Sequence, residues 1–235
     1  MAKRTKKKSK FKFYALLVFL AFAVSFAVAA SGVFSPENLS AFSGTGQNVA
    51  STEHGWNLIL INKDNYIPED YEVELLKLSN GEKVDERIYP ELQAMFDDAR
   101  STGLELFVAQ GYRTATEQQK LLDQKQEAYE KEGNSPAEAK ELAEKWVAVP
   151  GTSEHQLGIA VDINADTEKC KAEDVYNWLA ENAHKYGFIN RYPADKTDIT
   201  GIIYEPWHYR YVGKEAAREI YEKGICLEEY IEQLD

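Results

Sequence analysis

The sequence predicts an α+β domain with a small, mainly antiparallel sheet flanked by helices, preceded by one N-terminal membrane segment. Several stretches have apolar residues at helical spacing, and short β-branched or aromatic runs lie between them. The two kinds of element follow one another in mixed order, without a regular strand–helix–strand series, which favours α+β over α/β architecture. The 235 residues, 44% of them hydrophobic, suffice for one packed domain with appendages.

The N-terminus has the charge pattern of an export signal. Residues 1–12 carry seven Lys or Arg side chains and no acidic one, and residues 13–30 carry no charge. We expect a basic cytoplasmic flank at 1–12 and a membrane segment at 13–30 that places the remainder outside the cytoplasm. The length of the segment favours a retained signal-anchor, whereas the small residues at 27–30 resemble a cleavage site and favour secretion. Both outcomes remain open.

Residues 31–55 and 56–235 differ in composition. The first range is rich in Ser, Gly, Asn, Thr and Ala without periodicity, which predicts a flexible tether. The folded domain is predicted to cover 56–235. The total formal charge is -12 and the basic flank contributes +7, so the remainder carries -19. Such an acidic domain argues against a nucleic-acid partner, and we expect a monomer.

The first half of the domain is predicted to contain a hairpin, a helix, a strand and two further helices. The hairpin covers 73–84 and turns at Asn80-Gly81, a dipeptide typical of tight turns. Helical spacing over 90–102 ends at a glycine, and 104–109 is apolar enough for an interior strand. Capping signals of the Thr-x-x-Glu and Ser-Pro-x-Glu types predict helices over 114–132 and 135–146.

The second half is predicted to alternate strands and helices after a loop at 147–154. Strands are expected at 159–163 and 207–212, and helices at 174–186, 214–223 and, as a short last element, up to 233. Cys170 and Cys226 are the only cysteines. Outside the cytoplasm they could form a disulfide, worth roughly 4 kcal/mol in the chain-entropy model. The alternative is two unpaired buried thiols.

Two of the four histidines, His155 and His208, lie near acidic residues in a way that suggests a zinc site. Catalytic zinc usually takes three protein ligands from His and carboxylate side chains, and a separate carboxylate moves the proton of the attacking water. His155, Asp162 and His208 can be the ligands and Glu205 the base. Asp162 lies in an apolar run at 159–163, where an unpartnered charge would be costly and a metal would be its partner.

Regular strand geometry alone would not bring these side chains together. Residues seven or three apart on an ideal strand point to opposite faces. We therefore expect His155 to lie in a loop that turns at Gly158, and Pro206 to mark a break that lets Glu205 and His208 converge.

At these positions the chain resembles the VanY-type D-alanyl-D-alanine carboxypeptidases and their L,D-carboxypeptidase relatives, zinc enzymes of the group that includes lysostaphin-type enzymes and the hedgehog signalling domain. The resemblance covers 56–212. It rests on three ordered motifs: Ser153-x-His155-x-x-Gly158-x-Ala160-x-Asp162, Glu205-Pro-Trp-His208 and Gly111-Tyr-Arg113-Thr. It implies the hedgehog/D-Ala-D-Ala peptidase type of fold, one Zn2+ ion at His155, Asp162 and His208, and Glu205 as catalytic base.

The resemblance also implies residues that bind substrate. Arg113 would face the substrate carboxylate or the developing oxyanion, a role that suits the two-pronged hydrogen bonding of a guanidinium. Gln118 and Ser153 would be substrate contacts, although a solvated helix residue and a capping residue are the alternatives. Trp207 would line the pocket or pack in the core.

The predicted function is a zinc metallocarboxypeptidase that removes the C-terminal D-alanine from peptidoglycan stem peptides outside the membrane, by water activated at zinc. D,D and L,D specificity are both open. One alternative is a peptidoglycan endopeptidase, which would need an open groove. Another is a non-catalytic zinc-containing wall-binding domain, against which the retention of Glu205 argues.

Overall fold

A four-stranded antiparallel sheet is the centre of the computed structural model, which describes residues 48–234. Its strands are β5 (Leu106–Gln110), β6 (Ala160–Ala165), β7 (Phe188–Asn190) and β8 (His208–Tyr211), and they lie in the order β5-β6-β8-β7. Two smaller sheets precede it. β1 (Asn48–Val49) pairs in parallel with β2 (Asn65–Tyr66), and β3 (Leu75–Lys77) pairs antiparallel with β4 (Lys83–Asp85). The α+β class and its small, mainly antiparallel sheet are confirmed.

Within residues 48–234, six helices follow the predicted order with small shifts at their ends, and a short helix at Thr197–Thr200 was not predicted. They are α1 (Tyr89–Ser101), α2 (Ala115–Lys131), α3 (Pro136–Glu144), α4 (Ala172–Asn182), α5 (Thr197–Thr200), α6 (Lys214–Lys223) and α7 (Leu227–Glu232). Both predicted caps form as capping boxes. The side chain of Thr114 caps α2 with Glu117 as its partner, and that of Ser135 caps α3 with Glu138. Each box satisfies two backbone N–H groups that the first turn leaves unpaired.

Strand β6 alternates between two faces of the sheet. Val161, Ile163 and Ala165 face a core that α1 and α4 complete, and the first two are fully buried. Burying side chains of this size stabilises the fold by roughly 1.5–3 kcal/mol each. The other face of β6 carries Asp162 and Asn164, so one strand both anchors the core and presents polar groups.

The structured part of the chain starts earlier than predicted. Within the range predicted as a tether, Asn48 and Val49 form β1, the amide of Ala50 donates to the carbonyl of Tyr66, and Ala50 is buried in the core. The tether prediction therefore extends too far at its C-terminal end. The predicted flank at 1–12 and membrane segment at 13–30 lie outside the described residues. Within 48–234, no helix is long and apolar enough to cross a membrane.

Cys170 and Cys226 are both free thiols. The Cys170 thiol donates to the carbonyl of Glu105 and accepts from its amide, at 3.2 and 3.3 Å. Cys226 is buried at the start of α7, where its amide donates to the carboxylate of Glu229. The two cysteines are thus held in separate local contacts, and of the two alternatives the structure has the unpaired thiols.

Candidate functional site

Strand pairing brings Asp162 and His208 together. Asp162 on β6 lies directly opposite His208 on β8 in the antiparallel register, and Gln110 on β5 is the next residue across the sheet. Opposed residues in such a pair project to the same face with Cβ atoms roughly 5 Å apart. Two side chains that are 46 positions apart in the sequence therefore meet because of one register.

His155 reaches the same point from a turn. Residues Glu154–Leu157 form a 3-10 turn that ends at Gly158, whose φ is 75°. This left-handed conformation disfavours side chains, and a Cβ at Gly158 would also lie 3.1 Å from the amide nitrogen of Asp85. The break predicted at Gly158 is confirmed, and it turns the chain from the His155 turn into β6.

The Glu205–His208 segment forms a second turn. The amide of His208 donates to the carbonyl of Glu205 at 3.3 Å, and the side chain of Asn190 donates to the same carbonyl at 2.7 Å. The chain break predicted at Pro206 is therefore present. As a result, Glu205 Oε2 lies 3.7 Å from His208 Nδ1 although the residues are three apart.

Three potential ligand atoms of His155, Asp162 and His208 lie within 4.8 Å of one another; we call these residues the ligand cluster. Asp162 Oδ1 is 3.1 Å from His208 Nδ1 and 3.5 Å from His155 Nε2. The imidazole rings are 4.9 Å apart and nearly perpendicular. Among residues 48–234, Asp162 Oδ1 is one of few buried side-chain atoms without a hydrogen-bond partner, despite its proximity to His208.

The second nitrogen of His155 determines which atom is free to bind a metal. His155 Nδ1 lies 2.8 Å from the carbonyl oxygen of Gly111, which can only accept, so Nδ1 carries the proton and Nε2 has a lone pair toward Asp162. Gly111 itself must be glycine, because a Cβ there would lie 2.1 Å from the Lys83 carbonyl oxygen. Two imidazole nitrogens and one carboxylate oxygen on a buried point are the donor set that zinc prefers. The residues fit the ion.

The charges around the cluster favour a cation. Burial alone would raise the pKa of Asp162, but His155 and His208 hold it well below its usual range. Burial alone would lower the pKa of His208, but Asp162, Glu154 and Glu205 raise it to about 9. For Glu205, burial raises the pKa to about 8, with a further contribution from Asp162. The carboxylates thus create a negative potential at the point where the ligand atoms converge.

Arg113 lies beside the cluster and is held by Gln118. Arg113 is 8% exposed, and its amide donates to the carbonyl of His155 at 3.1 Å. Burial lowers the pKa of Arg113, whereas the charges of Asp162 and Glu205 oppose that shift. Its Nη1 donates to Gln118 Oε1 at 2.6 Å, and Gln118 Nε2 donates to the carbonyl of Ala148 at 2.6 Å. Gln118 is buried rather than a solvated helix residue, and it fixes Arg113 in place. Contact of either residue with substrate stays a prediction.

Ser153 and Trp207 lie next to ligand residues in the sequence, Ser153 two positions before His155 and Trp207 directly before His208. Ser153 is buried directly before the His155 turn and makes no side-chain capping bond there. Trp207 is half-buried, and its carbonyl accepts from the amide of Ile163, which ties the Glu205 turn to β6. Their proposed substrate contacts remain predictions.

Several residues at the site were not predicted. The Tyr192 ring lies 4.8 Å from that of His208, and Glu154 Oε2 lies 3.7 Å from His208 Nε2. Lys125 on α2 lies over the Trp146 ring at 4.3 Å, and its charge lowers the pKa of Glu205. The helices between Arg113 and His155 thus contribute to the site. The sequence signal for Glu154 was its place beside His155 in the motif, and that for Lys125 was its place in the charged stretch between Arg113 and His155. Tyr192 had no local signal in the sequence.

Comparisons with known proteins agree with this geometry. Residues 81–214 match the family model described as VanY: D-alanyl-D-alanine carboxypeptidase. A D-alanyl-D-alanine carboxypeptidase of Enterococcus faecalis is 58% identical over 179 residues, which cover 76% of this chain and 67% of the relative. A solved structure of VanYB with D-alanine-D-alanine has a TM-score of 0.75 and 58% identity, covering 75% of this chain and 98% of the other.

A further solved structure bears on the metal. It is a mutant of the vancomycin-resistance D,D-pentapeptidase VanY from the VanB-type cassette, in complex with Zn(II). Its TM-score is 0.74 at 58% identity, and the match covers 75% of this chain and 99% of the other. The zinc in that relative agrees with the donor set of the ligand cluster.

Proposed function

Because this chain belongs to the VanY family of D-alanyl-D-alanine carboxypeptidases, we propose that its ligand cluster, Glu205 and Arg113 together remove the C-terminal D-alanine from peptidoglycan stem peptides. The observation that carries the proposal is that one buried point has a three-ligand donor set, a carboxylate outside that set and a fixed guanidinium. Zinc, held by His155, Asp162 and His208, supplies Lewis acidity that activates water and polarises a carbonyl.

Glu205 moves the proton in this proposal. It lies beside His208 but outside the ligand cluster, so its carboxylate is available to take a proton from the attacking water. The same carboxyl then returns that proton to the amine of the departing D-alanine. The backbone bonds to the Glu205 carbonyl hold the residue in position for both steps.

Arg113 recognises the end of the substrate. A carboxypeptidase must bind a free terminal carboxylate, and a guanidinium can donate two parallel hydrogen bonds to it. With Nη1 already held by Gln118, the remaining donors of Arg113 are oriented rather than free to rotate. This preorganisation favours cleavage one residue from the carboxyl terminus over cleavage within a longer chain.

The substrate class is D-Ala-D-Ala-terminated peptide, supported by the E. faecalis carboxypeptidase and by VanYB, whose structure contains D-alanine-D-alanine. Mass spectrometry of defined pentapeptide, tetrapeptide and cross-linked dimer muropeptides, with and without a chelator, tests this. Chelator-sensitive loss of one alanine from the pentapeptide is expected. Loss from the tetrapeptide alone would indicate L,D specificity, and cleavage of cross-linked dimers alone would indicate an endopeptidase.

We further propose that the domain acts outside the cytoplasm, anchored by residues 13–30, and as a monomer. The basic flank and uncharged segment support export, and the substrate is extracytoplasmic. A monomer is supported because ligands, base and guanidinium all come from one chain. Protease accessibility on intact cells tests the orientation, N-terminal sequencing separates anchor from cleaved signal, and light scattering measures the oligomeric state.

A further inference from the structure

Two buried polar atoms face each other behind the ligand cluster. Glu154 Oε2 and His208 Nε2 are 3.7 Å apart, and within the described range of 48–234 neither has a hydrogen-bond partner. The side chain of Glu154 has no exposed surface and that of His208 is 5% exposed, so neither atom faces bulk solvent. A buried polar atom without a partner is costly, so an approach of a few tenths of an ångström between these two would be favoured.

The orientation of the Glu154 carboxylate is fixed from its other oxygen. Oε1 accepts from Arg191 Nε at 2.7 Å and from Arg210 Nη1 at 2.8 Å. Arg191 is itself held by two bonds to Glu228, at 2.6 and 2.8 Å, and Arg210 donates to the carbonyls of Asn57 and Ile59. Because both arginines use Oε1, the carboxylate cannot rotate, and Oε2 is directed at His208.

With a cation at the ligand cluster, this arrangement favours one tautomer of His208. A neutral imidazole carries one proton, on either Nδ1 or Nε2. An ionised carboxylate only accepts, so Glu154 Oε2 favours the proton on Nε2, while Asp162 Oδ1, 3.1 Å from Nδ1, favours it on Nδ1. A cation bound at the cluster would share the Asp162 oxygen and would need the lone pair of Nδ1, so Glu154 would then decide the tautomer. The Gly111 carbonyl acts in the same way on His155, where it favours the opposite tautomer.

We propose that Glu154 is a positioning residue for the metal centre, which orients His208 and keeps its Nδ1 available as a ligand. A carboxylate behind a ligating histidine commonly raises metal affinity by 10- to 100-fold. Glu154 does not contact substrate in this role, since it is enclosed by the two arginines. The inference rests on the proposed function of His208 as a zinc ligand.

The variant Glu154→Gln gives an unusual test because the arginines dictate how its amide must lie. Both arginines donate to the Oε1 position, so the amide oxygen must occupy it and the NH2 group must face His208. An NH2 donor favours a lone pair on His208 Nε2 and moves the proton to Nδ1. The substitution therefore opposes ligation by Nδ1 while keeping the size and the arginine contacts of residue 154.

Glu228→Gln is the matched control, because it also removes one carboxylate charge from Arg191 but does not contact His208. The readout is zinc affinity, measured by competition with a chromophoric chelator. We expect Glu154→Gln to weaken zinc binding 10- to 100-fold and Glu228→Gln to change it less than about threefold. Unchanged affinity in Glu154→Gln, or an equal loss in both variants, would overturn the proposal.

Wild-type protein offers a second measurement that needs no variant to fold. In long-range 1H–15N spectra of the zinc-loaded protein, we expect the His208 proton on Nε2, and a proton on Nδ1 would overturn the inference. Failure of the proposed function is distinguishable. If the wild-type protein binds no zinc, both proposals are wrong; if it binds zinc and only the Glu154 results fail, the zinc function stands.

Discussion

The ligand cluster and the ion network behind it are two adjacent buried regions that handle charge differently. The network, formed by Glu154, Arg191, Arg210 and Glu228, pairs two carboxylates with two guanidiniums through short hydrogen bonds. In the ligand cluster, by contrast, Asp162 Oδ1 is buried without a hydrogen-bond partner, and one nitrogen of each imidazole lies 3.1 to 3.5 Å from it. Glu154 Oε2, 3.7 Å from His208 Nε2, is the side-chain atom of the network that faces the cluster.

The difference separates a structural role from a ligand-binding one. A buried ion pair whose atoms are satisfied needs nothing else, and removing one partner leaves an uncompensated charge. A buried carboxylate oxygen without a hydrogen-bond partner is costly, and a cation bound at the ligand cluster would offset that cost. Perturbing the cluster should therefore affect metal and activity, and perturbing the network away from Glu154 should affect stability.

The largest effect is expected from metal removal. A strong chelator should abolish muropeptide hydrolysis, and added zinc should restore it. The chelated protein should also unfold at a lower temperature, because a ligand at 100 times its dissociation constant stabilises the folded state by roughly 2.7 kcal/mol. Activity assays and thermal unfolding measure both quantities. Full activity after verified removal of the metal would show that the ligand cluster does not hold a catalytic ion.

Glu205→Gln should be next in size. Loss of the carboxylate that moves the proton should lower kcat by about 1,000-fold, since general acid–base catalysis contributes roughly 100- to 10,000-fold. Zinc content should stay near one ion per chain, because Glu205 lies outside the ligand cluster. Steady-state kinetics and elemental analysis check the two halves. Glu127→Gln, on an exposed part of α2, is the control, and wild-type turnover in Glu205→Gln would refute the assigned role.

Arg113→Lys should lower kcat/KM for pentapeptide by about 100-fold, the loss expected when a charged two-pronged hydrogen bond worth roughly 3 kcal/mol is partly removed. A substrate with an amidated C-terminus should show a much smaller difference between variant and wild type, because it lacks the carboxylate. The comparison of the two substrates isolates terminal recognition from packing. Equal losses on both substrates would show that Arg113 does not bind the carboxylate.

The smallest effect on activity, but a clear one on stability, is expected for Glu228→Gln. Weakening the bonds to buried Arg191 should destabilise the fold by about 2 kcal/mol near neutral pH. Burial would raise the pKa of Glu228, but Arg191 lowers it. A lowered folded-state pKa gives stability that is present above the unfolded pKa and lost as pH falls through the folded one.

Denaturant unfolding of wild type and Glu228→Gln between neutral and acidic pH checks this. The difference in unfolding free energy between wild type and variant should shrink from below about pH 4, near the ordinary glutamate pKa. Catalytic activity should change little at neutral pH. A difference in unfolding free energy that is constant with pH would show that the Glu228 charge does not stabilise the network. Glu127→Gln, which disrupts an exposed pair with Lys131, serves again as the control with little expected change.

Much of the site was predictable because its signals are local. The Ser153–Asp162, Glu205–His208 and Gly111–Arg113 motifs identified the family, the zinc chemistry and the carboxypeptidase class, all of which the comparisons confirm. The breaks at Gly158 and Pro206 followed from strand geometry and are present. The individual roles of Arg113, Gln118, Ser153 and Trp207 stay predictions.

What was missed depends on contacts between distant segments. Strand β7 has three residues, too few for a pattern, and exists because it pairs with β8. β1 lies in a stretch whose composition predicts a tether, yet the backbone amide of Ala50 donates to the carbonyl of Tyr66. Composition and periodicity report what a segment favours alone, whereas short strands are stabilised almost entirely by their neighbours.

The sequence by itself determined the donor types, the order of the motifs and the points where the backbone must turn, because these depend on residue chemistry within a few positions. Only the tertiary structure decided which atoms meet. The register of β6 against β8 places Asp162 opposite His208, and the packing of Arg191 and Arg210 directs Glu154 at the back of the same imidazole. Such pairings depend on the packing of the whole fold, so no local pattern of residues encodes them.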